Sequence, residues 1–206
     1  MLNNFYALYG KRAFDLASAS CAIVLLSPFM LLAALAVRLS GPGPVIFRHA
    51  RVGRGFSHFS MYKFRTMGNG ADKDGPQVTA AGDPRITAVG RLLRKTKLDE
   101  LPQLFNVLKG EMSLVGPRPE VEKYVKLFED DYKTVLSVRP GVTDYAAIEF
   151  RSEEKVLSRY ADPEAAYRKE VLPAKIALYK KYIRGISLAA DIGIIFRTFF
   201  RITAPR

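Results

Sequence analysis

The sequence predicts an α+β protein that is predominantly helical, with a small β element and an N-terminal membrane segment. Three observations carry this prediction. A long apolar run, Ala13–Val37, lies near the start of the chain and contains a single charged residue. The segment Gly41–Pro44 then breaks the composition, and only residues 45–64 show strand-like patterning. We therefore expect a membrane unit over residues 1–40 and a second unit over residues 41–206 that ends in an interfacial helix.

The apolar run predicts a re-entrant hairpin. A helix over Ala13–Val37 would be about 37 Å long, enough to cross a bilayer. Ser27 and Pro28 lie near its middle, where proline removes a backbone hydrogen bond and bends a helix. Lys11 and Arg12 precede the run and several arginines follow it, so both flanks are expected on the cytoplasmic side. This pattern favours a helix–break–helix in a monotopic protein. A kinked spanning helix and a cleaved signal peptide are the alternatives.

The excess of basic residues points to an anionic partner. The 206 residues include 32 Lys and Arg against 20 Asp and Glu, a formal net charge of +12. Such a balance favours nucleic acid, anionic lipid or a phosphorylated substrate. A single cysteine, Cys21, excludes an intramolecular disulfide, and two histidines are too few for a zinc site. The sequence carries no nucleic-acid-binding motif of a known class, so we expect no nucleic acid partner.

A strand pair is predicted after the composition break. Val45–Phe47 and Phe59–Phe64 have the apolar content and alternation of short strands. Lys63 and Arg65 are two residues apart, so they are expected on one face as a paired cationic surface. An ordinary solvated strand face is the alternative. Residues 67–85, rich in Gly, Asp, Ala and Pro, predict a loop.

Two adjacent carboxylates, Asp99 and Glu100, lie in a basic stretch of the chain. Proline is tolerated only in the first turn of a helix, so Pro102 predicts a helix that begins near Asp99. At a helix N-terminus, free N–H groups and the helix dipole lower the pKa of a carboxylate. An ionised carboxylate among cations can act as a nucleophile or a metal ligand. An ordinary helix cap is the alternative.

Two arginines lie next to prolines. Arg118 is flanked by Pro117 and Pro119, and Arg139 precedes Pro140. A rigidly held guanidinium suits the bidentate recognition of a phosphate, and a plain turn with a solvent-facing arginine is the alternative.

Helices are predicted over residues 86–95, 120–136, 149–157, 174–184 and 186–202. The last of them is apolar with interleaved arginines, which is typical of a helix lying in the bilayer interface. A helix that closes the core of the second unit is the alternative.

Four motifs, taken together and in order, resemble the bacterial sugar transferase family. Its members are monotopic phosphoglycosyl transferases that start glycan assembly on a polyprenyl phosphate. The motifs are Lys63–Met67, Leu98–Leu104, Leu114–Pro119 and Val138–Gly141. The resemblance runs from about Lys11 to Thr143, and the order and spacing of the motifs make it specific. Ser27-Pro28 also resembles the break in that family's re-entrant anchor, and the short chain resembles its minimal form.

The resemblance implies an activity and a site. A phosphosugar would pass from a UDP-sugar to an undecaprenyl-type phosphate with release of UMP, as the first membrane step of capsule, O-antigen, exopolysaccharide or glycoprotein assembly. The reaction would run at the cytoplasmic face of the bacterial inner membrane. Asp99 would be the nucleophile and form a covalent phosphosugar intermediate. Glu100 would be its partner, with Mg²⁺ held by Asp99 and Glu100. The substrate-facing residues that the resemblance implies are Lys63, Arg65, Arg94, Arg118, Pro119 and Arg139.

The resemblance weakens after Gly141. Many members continue with a threonine-glycine-leucine run and an alanine-glutamine-valine-like run, whereas this chain has the different run Thr143–Arg151. The identity of the sugar is therefore left open, and a homo-oligomer is compatible with the sequence.

Two other functions are compatible with the pattern. One is a membrane-tethered basic module that binds anionic lipid or nucleic acid without chemistry, and its affinity would fall steeply with salt. The other is a transferase that moves the sugar alone and releases UDP. Identifying the nucleotide product separates these functions from the expected one.

Overall fold

The computed structural model describes residues 5–71 and 82–203, and within those ranges the chain is an α+β fold dominated by helices. The helices are α1 (Lys11–Leu39), α2 (Ala88–Thr96), α3 (Gln103–Lys109), α4 (Glu122–Leu127), α5 (Glu129–Val135), α6 (Tyr145–Glu149), α7 (Glu153–Leu157), α8 (Pro163–Ala166), α9 (Leu172–Arg184) and α10 (Leu188–Thr203). The strands are β1 (Ile46–Val52), β2 (His58–Phe64), β3 (Ser113–Val115) and β4 (Gly141–Thr143). This architecture confirms that the fold is α+β and predominantly helical with a small β element. Asp72 and Asp74, in the predicted loop over residues 67–85, lie outside the described residues.

Helix α1 is continuous, so the predicted helix–break–helix at Ser27 and Pro28 is not what the structure shows. Pro28 lies inside the helix and has no N–H to donate to the carbonyl of Val24, four residues back. The Ser27 hydroxyl donates to that same carbonyl at 2.9 Å. Because the hydroxyl replaces the missing donor, the proline is accommodated without interrupting the helix. A re-entrant path through a bilayer remains a prediction.

Residues Tyr6–Leu39 form one helical segment that is long and apolar enough to cross a membrane. The core helix of a soluble protein would be mostly buried, whereas only 17% of the most apolar window of this segment is buried. Its exposed apolar side chains include Val24, Leu25, Phe29, Leu31, Leu32 and Leu35. Large apolar side chains left uncovered over this length favour association with a membrane.

Two basic residues at the start of α1 attach it to the rest of the chain. The Arg12 guanidinium donates to the carbonyls of Val107 at 2.6 Å and Leu108 at 3.0 Å, and so closes the last turn of α3. The Lys11 ammonium contacts the carboxylates of Asp15 and Asp191, each at 2.9 Å. Both carboxylates are buried, so Lys11 is the cation that they share between α1 and α10.

We expect Lys11→Met to destabilise the fold by about 3–5 kcal/mol, because it leaves two buried carboxylates without their cation. The unfolding temperature of the detergent-solubilised protein measures this effect. Lys126→Met is the matched control, since Lys126 and Glu122 form an exposed ion pair. Equal unfolding temperatures for the two variants would contradict the prediction.

Strands β1 and β2 form an antiparallel hairpin in which Ile46 pairs with Phe64 and Val52 with His58. The strands are longer than predicted, and both extend toward the turn. The side chain of Asn106 fixes α3 against β2, because it accepts from the Tyr62 N–H at 3.0 Å and donates to the Ser60 carbonyl at 2.8 Å. The hairpin and α3 therefore form one unit.

A second strand pair, which the sequence analysis did not predict, joins two of the proline-containing motifs. Strands β3 and β4 are parallel, and the Gly141 N–H donates to the Pro117 carbonyl at 2.9 Å. A Cβ built on Gly141 would lie 2.1 Å from the backbone nitrogen of Gly116, so no larger residue fits at this crossing. The contact places the segment after β3 beside the start of α6.

The remaining helices pack around a tyrosine-rich core. Tyr132, Leu157, Leu172 and Tyr179 are fully buried in it. The helix predicted over residues 120–136 is two helices, α4 and α5, because the backbone leaves the helical region at Phe128.

Helix α10 combines the two alternatives considered for the C-terminal helix. Asp191 and Ile194 are buried against the rest of the fold, whereas Leu188, Ile192 and Phe196 are exposed along another face. The helix therefore closes the core and also presents an apolar face.

Candidate functional site

A cavity of about 1300 Å³ lies between β2, the segment after β3, α6 and α9. Its wall is strongly cationic. The basic residues that line it are Arg48, Arg51, Lys63, Arg65, Arg85, Arg91, Arg94, Lys95, Lys97, Arg118, Arg151, Lys155, Lys175 and Arg201. Fewer acidic residues line it: Asp83, Asp99, Glu100, Glu120 and Glu153. A cavity of this size and charge suits a large anionic ligand.

Asp99 and Glu100 lie in a 3₁₀ turn, Leu98–Glu100, and not at the N-terminus of α3. Lys97 adopts a left-handed conformation with φ of 59° and ends α2, so the chain changes direction just before the turn. Helix α3 begins only at Gln103, directly after Pro102. The prediction that the helix begins near Asp99 was therefore early by about one turn.

Glu100 is held by two cations. Its carboxylate accepts from the Arg118 guanidinium through both oxygens, at 2.5 and 3.3 Å, and from the Lys63 ammonium at 3.2 Å. Burial opposes ionisation of Glu100, but Arg118 and Lys63 outweigh it and hold its pKa well below the usual range. Glu100 is thus a stable anion that fixes both cations.

Asp99 has the opposite environment. Its side chain is 6% exposed, and Oδ1 is buried without a hydrogen-bond partner among the described residues. Burial and the charge of Glu100 raise the pKa of Asp99, although Lys63, Lys97 and Arg94 oppose the shift. The predicted lowering of this pKa is wrong, because burial and the adjacent charge of Glu100 outweigh the nearby cations. An unpartnered oxygen, poorly solvated and surrounded by cations, suits a nucleophile or a ligand.

Asp99 and Glu100 suit a divalent metal ion only when a bound ligand supplies the rest of its coordination shell. The described residues contain no group of three or more His, Cys, Asp or Glu side chains that could hold a metal. Magnesium is commonly bound by one or two carboxylates together with substrate phosphates. The free Oδ1 of Asp99 fits such a shared site.

Arg118 and Pro119 both line the cavity. The backbone N–H of Arg118 donates to the carboxylate of Asp144 at 2.9 Å, while the guanidinium fork engages Glu100. In this structure the fork contacts a carboxylate, and its contact with a substrate phosphate stays a prediction. Asp144 also caps α6 through the Ala147 N–H, and burial raises its pKa.

The other predicted cations divide into two groups. Arg94 lines the cavity and donates to the Thr66 hydroxyl at 3.0 Å. Arg65 also lines it, but its guanidinium donates to the carbonyls of Val37, Gly41 and Pro42 and so closes the end of α1. Arg139 is not among the residues that line the cavity, and it donates to the Gly110 carbonyl at 2.8 Å. The structure thus brings together all the predicted site residues except Arg139, and their roles remain predictions.

Several cavity residues were not found by the sequence analysis. Glu120, Tyr167, Lys175 and Tyr179 come from outside the four motifs or at their edge. Lys175 and Tyr179 are four residues apart and therefore share a face of α9. That spacing is too common to single out a site in a sequence.

Comparison with known proteins agrees with the motifs. A UDP-N-acetylgalactosamine-undecaprenyl-phosphate N-acetylgalactosaminephosphotransferase of Aeromonas hydrophila is 41% identical over 191 residues, which are 91% of this chain and 42% of that protein. A UDP-glucose:undecaprenyl-phosphate glucose-1-phosphate transferase of Escherichia coli strain K12 is 42% identical over 197 residues, with 93% and 39% covered. The exopolysaccharide production protein PSS of Rhizobium leguminosarum bv. phaseoli is 39% identical over 195 residues, with 91% and 92% covered.

The chain spans less than half the length of the Aeromonas and Escherichia relatives and nearly the whole of the Rhizobium one. The sequence profile of bacterial sugar transferases matches residues 6–205, almost the entire chain. Together with the motifs gathered around the cavity, this match shows that the chain belongs to the bacterial sugar transferase family.

Proposed function

We propose that this chain transfers a sugar 1-phosphate from a UDP-sugar to an undecaprenyl-type phosphate and releases UMP. The reaction is the first membrane step of a bacterial glycan pathway, at the cytoplasmic face of the inner membrane. The substrates after which the Aeromonas and Escherichia relatives are named support the substrate pair. The cationic cavity supports it independently, because both substrates carry phosphates.

One observation carries the mechanism: Asp99 is buried in a cationic cavity and has an unpartnered oxygen. We propose that this oxygen attacks the β-phosphorus of the donor. The bond from that phosphorus to the bridging oxygen breaks, and UMP leaves with the bonding electron pair. An aspartyl phosphosugar remains. An oxygen of the lipid phosphate then attacks the same phosphorus, and the Asp99 carboxylate departs.

The cations around Asp99 make this attack feasible. Lys63, Arg94 and Lys97 reduce the repulsion between the carboxylate and an anionic donor, and preorganised charges of this kind lower the barrier of phosphoryl transfer. Glu100 keeps Arg118 and Lys63 in position. Asp99 and Glu100 would hold Mg²⁺ together with the donor diphosphate, and the ion would supply further neutralisation of the phosphate charge.

The nucleotide product tests the proposal. Purified protein in detergent should convert UDP-glucose or UDP-N-acetylgalactosamine and undecaprenyl phosphate into UMP and a lipid-linked diphosphosugar. Chromatography of the nucleotides separates UMP from UDP. Release of UDP would mean that the sugar moves alone. Binding of lipid vesicles without any nucleotide product would identify a binding module instead.

The pH dependence of the reaction should reflect Asp99. The ionised form of Asp99 is lost as the pH falls through its raised pKa. The midpoint of the decrease of kcat/KM at acidic pH is therefore expected above the ordinary aspartate pKa of 3.8. Glu100 stays ionised over this range because its pKa is well below the usual one. Lys97→Met removes a cation that opposes the shift, and so should move the midpoint to higher pH. A midpoint at or below 3.8 in the wild type would contradict this assignment.

The re-entrant topology can be tested by thiol labelling. Single cysteines at Phe5 and Ser57, in a Cys21→Ser background, lie on either side of α1 and are both exposed. We expect both to resist a membrane-impermeant thiol reagent in intact spheroplasts and to react after permeabilisation. Labelling at Phe5 alone in intact spheroplasts would indicate a spanning helix. Pro28→Leu should shift part of the protein toward that state, since it restores the backbone donor.

A further inference from the structure

One side of the cavity differs chemically from the rest. It is lined by a connected group of side chains that we name the tyrosine lobe: Arg51, Glu120, Tyr124, Glu153, Tyr167, Lys175 and Tyr179. Tyr167 joins the group together. Its hydroxyl donates to the Glu120 carboxylate and lies 3.5 Å from the Lys175 ammonium, and its ring centroid is 5.1 Å from that of Tyr124.

The tyrosine lobe begins next to the proposed reaction centre. Glu120 follows Arg118 by two residues in the chain, and the Arg118 guanidinium holds Glu100 beside Asp99. A group bound in the lobe would therefore lie in the same cavity as Asp99.

The lobe contains hydrogen-bonding groups that the protein does not use. The hydroxyls of Tyr124 and Tyr179 and the Nε of Arg51 are buried and have no partner among residues 5–71 and 82–203. Buried polar groups are nearly always paired in folded proteins. Two unpaired hydroxyls on residues that line one wall of a cavity suit a ligand with several hydrogen-bonding groups of its own, which would reach them once the side chains that cover them shift.

The charges of the lobe are balanced, unlike those of the rest of the cavity. Lys175 pairs with Glu153 at 2.5 Å, and Arg51 lies 3.9 Å from Glu120. A diphosphate is favoured by the cation-rich wall and disfavoured by the carboxylates of the lobe. A neutral, hydroxyl-rich group should instead favour the lobe over the cation-rich wall. Carboxylates accept hydrogen bonds and tyrosine hydroxyls donate or accept them, and neither requires a charged ligand.

We propose that the tyrosine lobe is the site that binds the sugar ring of the donor and discriminates between sugars. Tyr124 and Tyr179 would hydrogen-bond its hydroxyl or acetamido groups, and Glu120, Glu153 and Lys175 would fix the two tyrosines and complete the pocket. This inference rests on the proposed function for the identity of the donor. It goes beyond it by assigning sugar recognition to residues of α4, α7 and α9.

The test compares the binding of sugar nucleotides with the binding of UDP, by titration calorimetry in detergent and without lipid. The probes are UDP-glucose, UDP-N-acetylgalactosamine and UDP. Wild type should bind at least one sugar nucleotide more tightly than UDP. The double variant Tyr124→Phe/Tyr179→Phe should lose about tenfold of that gain, as expected for two hydrogen bonds, and keep its affinity for UDP.

Tyr132→Phe is the matched control. Tyr132 also has a buried hydroxyl without a partner in the described part of the chain, but it does not line the cavity. The Tyr132→Phe substitution should therefore leave the ratio of sugar-nucleotide affinity to UDP affinity unchanged. Glu153→Gln is a second variant that keeps both tyrosines and can be used if the double variant folds poorly. It should also reduce the ratio of the affinity for a sugar nucleotide to the affinity for UDP.

Three outcomes would overturn the inference: no gain of a sugar nucleotide over UDP in wild type, a ratio unchanged in both lobe variants, or an equal change in Tyr132→Phe. These outcomes are separate from failure of the proposed function. Formation of UMP and lipid-linked product together with unchanged affinity ratios would contradict the role of the lobe and support the transferase function. Altered affinity ratios without any lipid-linked product would support the role of the lobe and contradict the transferase function.

Discussion

Asp99→Asn is expected to abolish turnover, with a loss of about 10³-fold or more. The substitution keeps the size of the side chain but replaces the carboxylate oxygen that would form the covalent bond. The most decisive form of the experiment is run without the lipid acceptor. Wild type incubated with a UDP-sugar labelled in the β-phosphate, then quenched in denaturant, should retain label on the protein and release UMP. Asp99→Asn should retain none.

Asp130→Asn is the control for this experiment, because Asp130 is an exposed carboxylate paired with the exposed Lys133. It should label as wild type does. Intersecting initial-rate lines with no label in wild type at any time would mean direct transfer through a ternary complex. Asp99 would then act as a ligand or a base.

Arg118→Lys is expected to reduce turnover by about 10²-fold although the charge is kept. The guanidinium contacts both oxygens of Glu100, whereas a lysine ammonium reaches such a pair as a point charge and loses the fork. Glu100 would then be less well neutralised, and Lys63 would lose part of its orientation. Steady-state rates with both substrates saturating measure the effect.

Arg159→Lys supplies the matched control, since Arg159 is exposed and does not line the cavity. Near-normal turnover in Arg118→Lys would show that charge alone suffices at this position and that the bidentate contact has no catalytic consequence.

The sequence predicted the residues of the centre better than their chemistry. Lys63, Arg118 and the Asp99–Glu100 pair meet in one cavity, as the resemblance to the family implied. The pKa of Asp99 could not be predicted from local sequence. It depends on burial by segments far apart in the chain, and nearby cations in the sequence suggested the opposite direction.

Short-range rules failed where a side chain took over a backbone role. Pro28 is a helix breaker by rule, yet the Ser27 hydroxyl satisfies the carbonyl that the proline leaves free. Arg139, predicted to contact a phosphate, donates to the carbonyl of Gly110 and does not line the cavity, which its position before a proline did not reveal. The parallel pair β3 and β4 is only three residues per strand, too short for any periodic pattern to reveal.

The contact between Arg12 and the last turn of α3 has a consequence for the choice of acceptor. Helix α3 has seven residues, about 10 Å, and Asp99 lies just before its first turn. Leu98, the neighbour of Asp99, packs against the cluster that contains Ala33 and Val37 near the other end of α1, so α3 lies alongside α1. With α1 embedded in lipid, Asp99 would be held at a fixed depth relative to it. Acceptors would then be sorted by the depth at which they present a phosphate, and a phosphate free in solution would gain nothing from the anchor.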